Sequence, residues 1–288
     1  MNILRTWFSN FSENLNLQNG TRYCRNLKIT KRLYYDLTSL DTYFLLSFIR
    51  QSGLCLESNL TLNVLSEHNI ESTSPNFIEE FRCLSERNPL ILVPVSIKYY
   101  DGPAHATALI IDNRLKTIEY FDPNGSEHSE HIQLILNFLE TQLSQVYPNH
   151  VIISSESFCL VGPQKIANTS LCAAWSLLYM HARIEFPSLS RHLIISTLLN
   201  FDRNRLLNII NGYLCFLYEY GLDNEIFDLH KRRNQLNNVY EKFINSEELM
   251  ENSDEFDTLM LKIEELVDKG DFKNAIVLIN LGIDIFGD

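Results

Sequence analysis

Between residues 89 and 125 three strand signals follow one another, and they constrain the fold more than any other stretch. Residues 89–97, PLILVPVSI, form a short, β-branched, almost wholly apolar run, which suits a buried strand. Pro94 inside it points to an edge strand or a bulge, because proline cannot donate to a ladder. Residues 107–112 and 116–121 are again strand-like, and Asn113 and Arg114 supply a turn between them. This pattern predicts a β-hairpin. The tetrapeptide DPNG, residues 122–125, closes it with strong turn chemistry.

Most of the remaining chain reads as helix. Residues 37–50 place Leu40, Tyr43, Phe44 and Phe48 along one side, with Ser39 or Asp41 as cap. Residues 54–88 are expected to hold one or two short helices, one of them over 76–86. Residues 130–146 are amphipathic, with Ile132, Ile135, Leu136, Leu139, Leu143 and Val146 at helical spacing. A short strand follows over 151–155. After Pro187 the chain looks all-helical, with segments at 191–201, 205–220, 256–267 and 272–281. The basic run Lys231, Arg232, Arg233 marks a boundary. The expected organisation is a mostly helical region over 1–88, a core over 89–230 and a helical extension over 231–288. The last segment loosely resembles one ankyrin repeat, but a lone repeat cannot bury its own faces. A terminal helical pair is the simpler expectation.

Composition narrows the function classes. The 288 residues carry a formal net charge of −12, which disfavours a broad nucleic-acid-binding surface. No apolar run reaches the roughly 18 residues of a membrane span, and the polar N-terminus does not read as a signal peptide. The six cysteines are scattered, with no CxxC pair, so a zinc or thioredoxin-like motif is not expected. Free thiols in a reducing, cytoplasmic compartment fit that pattern, and the sequons at Asn10, Asn59 and Asn168 are expected to stay unglycosylated. His128 and His131 have helical metal-ligand spacing but no completing ligands, so neither metal nor cofactor is expected.

The chemistry concentrates in residues 162–183, GPQKIANTSLCAAWSLLYMHAR. Cys172 stands where a loop passes into a helix, with Thr169 and Ser170 as candidate caps. A thiol in a first helical turn feels the positive end of the backbone dipoles, which favours thiolate. Gln164, eight residues earlier, is a candidate side-chain donor to an oxyanion. His105 begins one hairpin strand and Asp122 ends its partner, 17 residues on. The open end of the hairpin brings the two together, so a carboxylate can orient an imidazole whose other nitrogen faces a nucleophile.

These pieces resemble a known family. HATALIID with His105, TIEYFDPNG with Asp122, and GPQ…SLCAAW with Gln164 and Cys172 stand in the order and spacing of the ubiquitin-like-protease family. It includes the SUMO-specific proteases, the adenovirus maturation protease, and the core or polyprotein proteases of poxviruses and African swine fever virus. The wording is most similar to proteases of large DNA viruses, and the resemblance covers about residues 89–185. It implies an α+β fold: a small mixed sheet flanked by helices, with helical N- and C-terminal extensions. It further implies a thiol protease acting through an acyl-enzyme. Cys172 would be the nucleophile, His105 the base and then acid, and Asp122 its orienter. Gln164 and the Cys172 N–H would form the oxyanion hole.

The implied partner is a protein substrate, either a viral polyprotein or a ubiquitin-like modifier conjugate, in host cytoplasm or virion if the chain is viral. Two departures bear on specificity. Modifier proteases of this family carry Trp after the His, where this chain has Ala106, and Gly after the Cys, where it has Ala173. An acyltransferase of the same fold and a catalytically dead modifier-binding module are the alternatives.

Overall fold

The computed structural model describes residues 2–14, 54–55, 60–73, 89–100, 102–125, 131–154, 159–223, 253–268 and 271–286, with a few positions between 232 and 239. The helix expected over 37–50, and that over 76–86, lie outside the described residues. The described chain forms two compact units, residues 1–216 and 217–288.

The first unit is α+β, the class expected. Its sheet is mixed, in the order β3-β2-β4-β5-β6-β7, and β1 also pairs with β4. The strands are β1 (Leu54–Cys55), β2 (Leu60–Ser66), β3 (Asn69–Ser72), β4 (Leu90–Tyr99), β5 (His105–Asp112), β6 (Thr117–Phe121) and β7 (Val151–Ser154). The predicted hairpin is β5–β6, with Asp112 opposite Thr117 and Ala108 opposite Phe121. β4 runs antiparallel to β5, from Leu90 opposite Asp112 to Ile97 opposite His105.

Two expectations change here. Where short helices were expected over 54–88, the described residues form strands. Leu60, Leu62 and Val64 are buried, while Thr61 and Asn63 alternate with them on the other face. That period of two is a strand signal, over a run too short for a helix. Pro94 also sits in an interior strand, not at an edge. The parallel partners of β4 cover Leu90–Ile91 on β1 and begin again at Val95 on β2. Pro94 falls in the interval between them, where a missing N–H interrupts least.

Helix α2 (Ile132–Leu143) covers one face of the sheet. Ile132, Ile135, Leu139 and Leu143 pack there with Val93, Val95, Ile97, Leu109, Ile111 and Tyr120. Truncating one of these fully buried leucines to Ala would cost about 2–5 kcal/mol. The other face receives α4 (Cys172–Glu185), which follows the short α3 (Pro163–Ala167). Residues Ala174 to Ile184 of α4 are all buried. A helix buried all round needs cover on every side. The sheet supplies one side, where Tyr179 stacks on Phe121 with ring centroids 4.2 Å apart. Helices α1 (Asn2–Asn14), α5 (Arg191–Leu199) and α6 (Arg203–Asp223) complete the helical side of this unit. Trp7 of α1 meets His181 of α4 edge-on at 5.2 Å, and Tyr213 of α6 donates to the Leu177 carbonyl at 3.2 Å. Gly212 lets α1 approach α6, because a Cβ there would lie 1.9 Å from the Phe11 carbonyl oxygen.

A buried charge cluster joins α4 to the hairpin. Arg183 has no exposed side-chain surface, yet it donates to both carboxylate oxygens of Glu119 at 3.0 and 3.1 Å. It also reaches Asp112 at 3.4 Å and the Leu189 carbonyl at 3.0 Å. Tyr179 adds a bond to Glu119 at 3.1 Å. Arg114 is the second cation, donating to Asp112 at 3.0 and 3.2 Å, so two cations match two carboxylates, as burial of charges demands.

The second unit contains the expected helical pair, α7 (Ser253–Asp268) and α8 (Phe272–Phe286). Phe256 and Phe286 meet edge-on at 5.4 Å, and a Cβ on Gly282 would press on Leu259. Among the described residues, no helix is long and apolar enough to cross a membrane. Cys215 is disulfide-bonded, which departs from the expectation that all thiols are free.

Candidate active site

All four residues singled out in the sequence lie in elements that meet at one end of the sheet. His105 is the first residue of β5, and Asp122 follows the last residue of β6. Their side chains are bonded, His105 Nε2 to Asp122 Oδ1 at 2.9 Å. The carboxylate is almost fully buried, 3% exposed, and the imidazole 11%. With Nε2 engaged, Nδ1 is the nitrogen left for the thiol, and His105 hydrogen-bonds Cys172.

The DPNG turn holds the carboxylate in place. The Asn124 N–H donates to Asp122 Oδ1 at 2.8 Å, and the Gly125 N–H to the Asp122 carbonyl at 3.1 Å. The same turn anchors the segment carrying Gln164. The Gly162 N–H bonds the Asn124 carbonyl at 2.8 Å, and the Gln164 N–H bonds the Pro123 carbonyl at 3.0 Å. Gly125 has φ +82°, a conformation that favours glycine, and a Cβ there would stand 2.5 Å from the Gly162 nitrogen. A Cβ on Gly162 would in turn meet the Pro123 oxygen at 2.2 Å. Both glycines are therefore required for backbone to lie directly on backbone.

Gln164 sits on the short helix α3, where a loop was expected. It is 7% exposed, and its Oε1 has no hydrogen-bond partner. Burying an amide oxygen unused costs free energy, so a group that donates to it is favoured, while an oxyanion would take the amide N–H instead.

Cys172 opens α4. The N-cap is Leu171 and makes no side-chain cap bond, so neither Thr169 nor Ser170 caps this helix as expected. Thr169 instead accepts from the Trp175 indole N–H at 3.1 Å. The thiol stands where backbone donors are not spent within the helix. Ser176 ties the helix to the sheet, donating to the Ala106 carbonyl at 3.2 Å.

The electrostatics follow from this geometry. Burial alone would push the Cys172 thiol up, but the His105 bond and charge overcome it, helped by the Ala106 and Ala173 N–H groups, and its pKa is lowered. Burial would likewise depress His105. The bonds to Asp122 and Cys172 and the charges of both raise it instead, to about 10. The two shifts describe one thiolate–imidazolium pair. Cys159 shows the contrast. It is buried without a cation, so burial and the Asp122 charge push it up to about 11.

Sequence reading missed two contributors. The Ala106 N–H reaches the thiol, and no side-chain motif marks a backbone donor. Tyr99 stands close enough to feel Asp122 and Cys172; burial first, then those charges, raises its hydroxyl pKa. Its signal was positional, two residues beyond Ile97, the register partner of His105. His131, one of the histidines weighed as a metal ligand, packs on Tyr99 at 5.5 Å, and among the described residues no metal-ligating group forms.

No protein-family model and no curated protein matches the chain. Two of the solved structures it is similar to are the following. One is ChlaDub1 from Chlamydia trachomatis, at 14% identity and a TM-score of 0.46, covering 64% of this chain and 90% of that one. The other is the C-terminal Ulp1 protease domain in complex with Smt3, the yeast orthologue of SUMO. It is 15% identical with a TM-score of 0.37, covering 75% and 95%.

Proposed function

We propose that the chain is a cysteine peptidase that hydrolyses a peptide or isopeptide bond in a protein substrate. The observation that carries this reading is the buried relay from Asp122 through His105 to Cys172, with His105 Nε2 held at 2.9 Å. The Cys172 thiolate attacks the carbonyl carbon, and the carbonyl oxygen takes the negative charge. Gln164 and the Cys172 N–H face that oxygen and stabilise it. The His105 imidazolium then gives its proton to the departing amine, and an acyl-enzyme remains. Water, deprotonated by His105, attacks the thioester, and the thiolate leaves with the acid product released. Asp122 fixes the ring and stabilises its positive form without taking the proton.

Two substrate classes fit this chemistry: a viral structural polyprotein and a ubiquitin-like modifier conjugate. Incubating the full chain with electrophilic ubiquitin, SUMO and NEDD8 probes, beside a library of glycine-containing peptides, separates them. A covalent adduct on Cys172 with one modifier identifies the conjugate class; cleavage of peptides alone identifies the polyprotein class. Full hydrolysis by a folded Cys172→Ala variant would refute the peptidase reading altogether.

A further inference from the structure

The residues that follow His105 and Cys172 in the chain are both alanine, and both line the same pocket. It lies between β4, β5 and α4 and encloses about 380 Å³, its open mouth included. Pro94 and Ser96 line it from β4, Ala106 from β5, and Ala173, Leu177 and Met180 from α4. Leu177 and Met180 are buried, at 3% and 0% exposure, and form the inner wall. Pro94, Ser96, Ala106 and Ala173 are half-buried and frame the mouth, so the pocket opens within one residue of both reacting groups.

Three features define what fits there. Among the described residues no ionisable side chain lines the pocket, so a charged group entering it finds no partner among them. The Ser176 hydroxyl, also in the lining, already donates to the Ala106 carbonyl at 3.2 Å. Much of the enclosed volume belongs to the open mouth, so the space suits one side chain and not a whole small molecule. Methionine on the inner wall adapts to irregular aliphatic shapes.

We propose that this pocket is a specificity subsite that receives one aliphatic side chain, of valine to methionine size, from a substrate residue adjacent to the scissile bond. The proposal rests on the peptidase reading. It deepens that reading by assigning a substrate preference that a glycine-only recognition sequence would leave unused.

Peptidyl chloromethyl ketones test it on the full chain. The thiolate displaces chloride, a C–S bond replaces the C–Cl bond, and mass spectrometry reads the adduct on Cys172. Three acetylated dipeptide probes are compared: Gly-Gly, Leu-Gly and Gly-Leu. Iodoacetamide at pH 6 gives the intrinsic reactivity of the thiol. One leucine probe should label at least about tenfold faster than Gly-Gly, the discrimination that one apolar side chain supports in a fitted pocket. Ser96→Leu and Ala106→Leu, which fill the pocket from two different strands, should each abolish that advantage. Each variant's probe rates are divided by its own iodoacetamide rate, so a change in thiol reactivity does not pass for a change in the subsite. Equal rates for all three probes with Cys172 still reactive would overturn the subsite and leave the peptidase reading standing. So would a leucine advantage that survives in both variants. Failure of iodoacetamide to label Cys172 would overturn the peptidase reading, and the subsite with it.

Discussion

His105 sits under opposing influences, and their balance sets the working range of the site. Burial disfavours its charge, while Asp122 and Cys172 favour it strongly enough to raise the pKa to about 10. A raised folded-state pKa stabilises the fold fully below the unfolded value of about 6.5, and that stability is lost as pH rises through about 10. The thiolate forms below the ordinary thiol range of about 8.5. Iodoacetamide at pH 6 should therefore modify Cys172 well before Cys159, which burial keeps protonated. Asp122 supplies the largest raising influence on His105, so Asp122→Asn should move the alkaline limb of the pH–rate profile downward. It should also lower kcat by ~10²–10⁴. A wild-type profile in that variant would remove Asp122 from the site. For Gln164→Ala the expected loss is ~10²-fold in kcat with little change in KM. A rise in KM at constant kcat would make Gln164 a substrate-binding residue instead.

At the scale of elements, the hairpin β5–β6, the DPNG turn and helices α2 and α4 were legible, because each has a strong local pattern. The pairing of His105 with Asp122 followed from the hairpin alone, since its open end joins residues 17 apart. What stayed hidden depends on distant partners. β2 falls in the stretch 54–88, where only short helices are expected, because its alternation spans only seven residues, and it gains meaning only beside β4. Gly162 gave no local sign of its contact with the DPNG turn. Arg183 read as one more basic residue in a last helical turn, yet it is buried against Glu119 and Asp112. Replacing it with alanine leaves the Glu119 carboxylate without a cation, while Asp112 keeps Arg114 at 3.0 Å, and should cost about 3–5 kcal/mol. Arg183→Met/Glu119→Gln, which removes both charges of the pair together and leaves Asp112 with Arg114, should recover much of that loss. Urea titrations of both variants measure it. Equal stability of Arg183→Ala and the parent would show that the cluster contributes nothing.

At the scale of the whole molecule, the four proposed catalytic residues all fall within residues 1–216, the first compact unit. Residues 231–288 are therefore proposed to be dispensable for chemistry. A chain ending at residue 230 should remain soluble and cleave a small peptide at a rate within about twofold of the full chain. Aggregation of the shortened chain would assign the missing helices to the core. The Arg183 cluster has a further consequence, for the order in which the chain matures. Its partner Glu119 lies 64 residues earlier, so a nascent chain exposes that carboxylate long before its counter-ion leaves the ribosome, whereas Asp112 finds Arg114 two residues on. The sheet can pair early, but the surface awaiting α4 stays hydrated until Arg183 arrives. Cys172 precedes Arg183 by three helical turns on the same element, so locking of the helix and completion of the relay are one event. On the proposed reading, the site is complete only once α4 has been made through to Arg183.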